Sequence, residues 1–325
     1  MAMIETINLS KEYGELVALN NLNLTIEAGD CFGFIGPNGA GKTTTIKILA
    51  TLLKPTRGQA MIDGLTVGYQ NRQIRPIIGY VPDFMGAYED MVVSEYLEFF
   101  AAAYDIQGGQ RKKVVADVLD LTDLTYKTNA EVNSLSRGMQ QRLSVARVLL
   151  HDPKVLLMDE PASGLDPRAR IEMRELLKEL KRMGKTIIIS SHILSELAEL
   201  CNVVGIIERG NLVFHGSVRE VMRKAKLEHV LHIAVADRTD EAAKLLHQIP
   251  GTKKVELVDE DESGAYSRGD GNRTVIHLTI EDSAVHSISD IPNRLINAGF
   301  RLTSFGEEPV NLETAFMRLT QGLVQ

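Results

Sequence analysis

Residues Gly36–Thr44 read GPNGAGKTT, and this short stretch decides the fold. It satisfies G-x-x-x-x-G-K-[ST] through Gly36, Gly41, Lys42 and Thr43, with Pro37, Asn38, Gly39, Ala40 and Thr44 filling the pattern. Just before it, Cys31–Ile35 (CFGFI) predicts a strand, and after it Lys42–Ala50 predicts a helix. In that setting glycines let the backbone wrap closely round phosphate oxygens, so that successive N–H groups and the helix N-terminus face the anion. Lys42 then brings positive charge to β- and γ-phosphates, and the Thr43 hydroxyl is a ligand for Mg²⁺. The pattern alone is also met by a Gly-rich turn that caps a helix, so a second, independent signal is needed.

Val155–Pro161 (VLLMDEP) supplies it: an apolar run ending in two carboxylates. A buried strand with acids at its C-terminal end places them where α/β sheets bind ligands. There Asp159 holds Mg²⁺ through its water shell, and Glu160 polarises the attacking water as a general base. Further strands are predicted at Ile77–Val81, Thr186–Ser190 and Val203–Glu208, with helices at Val93–Tyr104, Lys112–Leu119, Gly138–Leu150, Pro167–Arg182 and Ile193–Leu200. Val- and Ile-rich strands alternating with helices imply parallel βα units, and the stretch from about 84 to 150, which is mostly helical, interrupts that rhythm as an inserted lobe.

Composition bounds the rest. The chain has 325 residues, 44% hydrophobic and 24% charged, with net charge −7, which excludes a disordered or fibrous protein and argues against a strongly basic nucleic-acid binder. Residues 1–225 carry 26 Lys and Arg against 27 Asp and Glu, whereas residues 226–325 carry 10 against 16. This shift predicts a boundary near 225, dividing the chain into domains 1–225 and 226–325. The second part reads β, α, β, β, α, β over Val230–Ala236, Glu241–Gln248, Lys254–Val258, Thr274–Ile280, Ser289–Ala298 and Leu302–Phe305, the order of a small split βαβ, ferredoxin-like α+β domain. Asp259–Asn272 reads as a mobile acidic connection. Two cysteines, Cys31 and Cys201, are too few for a disulfide framework and fit a reducing compartment. The N-terminal residues lack the apolar core of a secretory signal, and no window reaches the length of a membrane span.

With these residues in place, 1–225 resembles the ATP-binding-cassette (ABC) ATPases, a branch of the P-loop NTPases. Leu135–Arg142 (LSRGMQQR) is similar to the family's signature loop and following helix, with Ser136 lying 23 residues before Asp159. Ser163–Asp166 (SGLD) resembles its D-loop, His192 after IIISS its switch histidine, and Tyr13 its adenine-stacking aromatic. The resemblance implies a head-to-tail pair of cassettes with ATP between them. Lys42, Asp159, Glu160 and His192 of one subunit would then face Ser136 and Gly138 of the other. One phosphate loop and one signature per chain imply a partner cassette in trans, most simply a homodimer. Taken alone, Ser136, Gly138 and Asp166 are also ordinary helix-capping residues, and both readings can hold together.

The sequence departs from the family at three positions. Asp83 follows a predicted strand where the family usually has a glutamine that touches Mg²⁺, although a carboxylate still suits that metal. Arg137 replaces the first glycine of the signature pair, and Met139 its glutamine. Overall the chain resembles exporter cassettes whose membrane subunit is a separate polypeptide, and Leu312–Thr320 (LETAFMRLT) resembles their terminal segment. That implies an ATP-hydrolysing subunit, cytoplasmic and peripheral on the inner face of the membrane through a transmembrane permease, with ATP and Mg²⁺ as cofactors. The competing expectation is an ABC ATPase that works on ribosomes or DNA. The single cassette, the lack of long coiled-coil insertions and the acidic extension weigh against it, and no nucleic acid partner is expected.

Overall fold

In the computed structural model, residues 2–86, 91–191, 194–225, 228–260, 273–281 and 288–307 are described. They fall into two compact units, Met1–Val218 and Arg219–Gln325. The first unit begins with β1 (Ala2–Tyr13) and β2 (Leu16–Glu27), a long antiparallel hairpin. Asn8 and Asn21 sit in its strands at φ 48° and 49°, and their left-handed backbone shifts the register between Thr6 and Leu9 and again by Lys11. Next come β3 (Cys31–Ile35), α1 (Lys42–Leu49), β4 (Arg57–Ile62) and β5 (Leu65–Thr66). Strands β4 and β5 complete an antiparallel sheet in the order β2-β1-β4-β5.

After α2 (Asn71–Ile74) and β6 (Ile78–Val81), the described residues include the α-helices α3 (Val93–Ala103), α4 (Gly108–Leu121) and α5 (Arg137–Leu149). The chain then runs through β7 (Val155–Asp159), α6 (Pro167–Arg182), β8 (Thr186–Ser191), α7 (Leu194–Leu200), β9 (Val203–Glu208) and β10 (Asn211–Ser217). These strands and β3 form a sheet in the order β10-β9-β3-β8-β7-β6, parallel except for β10 at the edge. Strands β3, β7 and β8 are buried along their whole length, as an unbroken apolar run covered on both faces requires. Ile4, Leu22, Phe32, Ile46 and Ile188 are among the residues that build the core of this unit, each 0–1% exposed. Within the helical insertion, Arg142 is 5% exposed and donates to the carbonyls of Thr122 and Asp123, both at 3.1 Å. It also pairs with Glu172 of α6 at 3.3 Å, so one buried cation fixes α5 against its neighbours. Cys31 and Cys201 are free thiols whose sulfurs approach to 3.7 Å, and burial pushes the Cys201 thiol up.

The second unit opens with most of α8 (Val218–Ala225) and continues as β11 (Glu228–Val235), α9 (Thr239–His247), β12 (Thr252–Glu260), β13 (Arg273–Glu281), α10 (Ile291–Asn297) and β14 (Leu302–Glu307). Its four strands pair antiparallel in the order β12-β13-β11-β14, with the first and third strands in the centre. Alternate residues Leu231 and Ile233 of β11 and Ile276 and Leu278 of β13 face Ala242 and Leu246 of α9 and Ile291 and Leu295 of α10. Leu246 is fully buried, so Leu246→Ala is expected to cost this unit about 2–5 kcal/mol, read as a lower urea midpoint of the transition assigned to it. Of the connection expected at Asp259–Asn272, Asp259 and Glu260 instead end β12 as ladder-paired strand residues, and 261–272 lie outside the described residues, as does the segment Leu312–Thr320.

Candidate functional site

Strand register assembles the site. Ile35 pairs with Ser191 across β3 and β8, Asp159 with Ser190 across β7 and β8, and Val81 with Met158 across β6 and β7. Because these strands are parallel, their C-terminal ends share one edge of the sheet. The loops beginning at Gly36, Glu160 and Pro82 therefore emerge side by side. They line a cleft of about 710 Å³ that includes Tyr13, Asn38–Thr44, Asp83, Asp159 and Glu160. This size suits a small-molecule ligand such as a nucleotide.

The loop Gly36–Gly41 is shaped for close backbone approach. A Cβ on Gly36 would stand 2.3 Å from the Ile207 carbonyl oxygen, and Gly41, which caps α1, has φ 111°. No residue with a side chain takes both places without moving the loop. Lys42, the first residue of α1, is 5% exposed. Its Nζ donates to the carbonyl oxygens of Gly36 at 2.6 Å and Pro37 at 3.2 Å, and lies 3.6 Å from Glu160 Oε1. An ammonium so placed can receive an anionic oxygen where the Glu160 carboxylate now lies.

Asp159 is held by two hydroxyls: Thr43 Oγ1 donates to its Oδ1 at 2.9 Å, and Ser190 Oγ donates to the same oxygen at 2.7 Å. Glu160 sits at φ 50°, an uncommon backbone for a residue with a side chain. Its N–H donates to Ser190 Oγ at 3.0 Å and to the Ser190 carbonyl at 3.2 Å, which holds the strained turn. The turn takes the Glu160 side chain out of the strand line and toward Lys42. Ser190 orients both acids, and sequence reading missed it; the one available signal was a small polar residue closing the apolar run Ile187–Ile189. Tyr80, on β6, also lines the cleft, and burial followed by the charges of Asp159 and Asp83 pushes its phenol up to about 12. It therefore stays protonated at every physiological pH.

Thr43 and Asp159 offer hard oxygen donors side by side, as Mg²⁺ prefers. Among the described residues no group of three or more His, Cys, Asp and Glu is placed to hold a metal. The donor set thus fits an ion that arrives with phosphate oxygens and water completing its shell, and not a closed protein cage.

The remaining predicted residues divide. Tyr13 stands at the cleft rim, 45% exposed, with Lys11 Nζ 5.1 Å from its ring centre. Ser136 caps α5, its Oγ accepting from the Met139 N–H at 3.3 Å, and Asp166 caps α6, its Oδ1 accepting from the Ala169 N–H at 2.9 Å. Gly138 lets the two helices touch, since a Cβ there would lie 2.6 Å from Ala169 Cβ. Among the described residues that line the cleft, Ser136, Gly138 and Asp166 are absent. His192 lies outside the described residues.

Known proteins are similar to this chain in sequence and fold. The ABC transporter family pattern matches residues 19–163. The chain is 39% identical over 221 residues to the Nod factor export ATP-binding protein I of Cupriavidus metallidurans, covering 68% of this chain and 73% of that protein. It is 34% identical over 322 residues to the protein of the same name from Burkholderia lata, covering 98% and 97%. It is 27% identical to the linearmycin resistance ATP-binding protein LnrL of Bacillus subtilis, covering 98% of each. Among solved structures, a dimeric bacterial ABC transporter cassette covers 67% of this chain and 99% of its own at 29% identity and TM-score 0.61. A dimeric cassette bound to ADP and Pi in a post-hydrolysis state gives 28% identity and TM-score 0.61. No helix among the described residues is long and apolar enough to cross a membrane. The chain belongs to the ABC transporter family, as an ATP-binding, ATP-hydrolysing subunit.

Proposed function

We propose that this chain powers export through a separate transmembrane permease, working as a homodimer that closes two magnesium–ATP sites between its subunits. The carrying observation is the division of the predicted residues. Lys42, Thr43, Asp159 and Glu160 converge on one cleft, whereas Ser136 and Gly138 sit outside it on the capped end of α5. A site split in this way is completed by a second copy. Lys42 and the loop amides bind the phosphates, Thr43 and Asp159 hold the metal's shell, and Glu160 takes the proton of the attacking water. Bound Mg²⁺ neutralises developing charge on the phosphates. Tyr13 stacks on the adenine, Asp166 steadies the loop at the interface, and His192 contacts the γ-phosphate. Relatives named for Nod factor export and linearmycin resistance support export as the direction.

In this reading, residues 1–225 are the ATPase domain, with residues 84–150 as its helical part. Residues 226–325 form a ferredoxin-like accessory domain, supported by the strand order of the second unit. The protein is cytoplasmic and peripheral on the membrane. Purification of the tagged chain from its own cells in mild detergent tests the assignment: a polytopic membrane protein is expected to come with it in stoichiometric amount. Recovery in the membrane-free fraction, with no such partner under any mild detergent, would contradict it.

A further inference from the structure

Two of the departures from the family pattern meet in space. Asp83 follows β6, Arg137 opens α5, and Arg137 Nη2 lies 3.9 Å from Asp83 Oδ1. A second contact places the guanidinium: Gly164 has φ 65°, and a Cβ built on it would stand 2.4 Å from Arg137 Nη1 and 2.5 Å from its Cζ. A third joins the same helix to the same loop, since Gln141 Nε2 donates to the Pro82 carbonyl at 3.3 Å. The start of α5 therefore grips the strand-end loop of its own chain, by charge on one side and by an amide on the other.

The charge matters because of what else lines the cleft. Asp83 shares it with Asp159 and Glu160. Glu160 faces the Lys42 ammonium, and Asp159 accepts hydrogen bonds from two hydroxyls. A third carboxylate with no counter-charge would repel an incoming triphosphate. Arg137 supplies the counter-charge from outside the cleft. We propose that Arg137 is a positioning residue for the nucleotide cleft of its own chain, pairing with Asp83 and holding that carboxylate off the phosphate path. The proposal rests on the function assigned above and goes beyond it. There the signature segment acts only across the interface, whereas here it also acts within the subunit.

The side chains are 57% and 53% exposed, so the pair is well solvated and open to salt. The test measures binding of a non-cleavable magnesium–ATP analogue to the full chain, at a concentration where sedimentation shows a monomer. Arg137→Met, which keeps bulk and loses charge, is expected to weaken binding about 1.5–5-fold relative to wild type at about 0.05 M salt, the range of an exposed pair. That ratio is expected to approach one near about 1 M salt, where the Debye length is about 3 Å. Arg137→Lys is expected to stay near wild type. In an Asp83→Asn background, Arg137→Met is expected to cost nothing further, the mark of a coupled pair. No loss on Arg137→Met, an equal loss at both salt concentrations, or an undiminished loss in the Asp83→Asn background would overturn the proposal. A wild-type chain that takes up no nucleotide would instead sink the underlying function, and the inference with it.

Discussion

Glu160→Gln is expected to lower ATP turnover by about 10²–10⁴-fold, the usual contribution of a general base, while nucleotide uptake persists. The geometry sets both halves of this result. Glutamine keeps the size of the side chain but cannot take a proton from water. It also leaves Lys42 without the carboxylate that lies 3.6 Å away, so the ammonium is the freer to receive phosphate, and affinity for ATP should equal or exceed that of the wild type. Asp159 and Thr43, the metal-facing pair, are untouched. The expected product is a dimer that accumulates with ATP bound, seen as a shift to twice the mass in light scattering when magnesium–ATP is added. Unchanged turnover would remove Glu160 from the role given to it, and a loss of binding would make it a ligand-holding residue.

Lys42→Ala acts one step earlier. Its Nζ is the buried cation that the Gly36 and Pro37 carbonyls and Glu160 surround. Deleting it leaves three acceptors facing one another and no charge for the triphosphate. Hydrogen bonds to charged groups contribute about 1.5–3 kcal/mol, so ATP affinity is expected to fall about 10–100-fold in calorimetry. The variant's urea unfolding curve serves as the control for folding. Binding within about twofold of wild type, a difference of about 0.4 kcal/mol, would show that the loop amides alone hold the phosphates.

The parts of this molecule legible in sequence are those whose burial is uniform. Strands β3, β7 and β8 are covered on both faces, so their apolar runs carry no competing period. Helix α6 carries its own start signal in Asp166 and Pro167, and its predicted bounds match. The opening hairpin went unread for the converse reason. Asn8 and Asn21 take left-handed conformations inside β1 and β2 and shift the register, so the alternation of period two is broken in both strands and runs clean only over Leu22–Glu27. The phosphate-binding loop and the two acids were legible because their chemistry fixes their spacing. Ser190 was not, because a serine at a strand end has many uses and only the pairing of β7 with β8 brings it to Asp159. Asp83 and Arg137 were each visible as departures, but their proximity belongs to the fold: a strand end and a helix start 54 residues apart in sequence.

The claim beneath all of this is that one chain holds ATP and a second copy completes the site. Specific ATPase activity measured against chain concentration tests it most directly. Activity per chain is predicted to rise with concentration and level off, in step with dimer formation followed by sedimentation in magnesium–ATP. Constant activity per chain down to concentrations where only monomer sediments would contradict it.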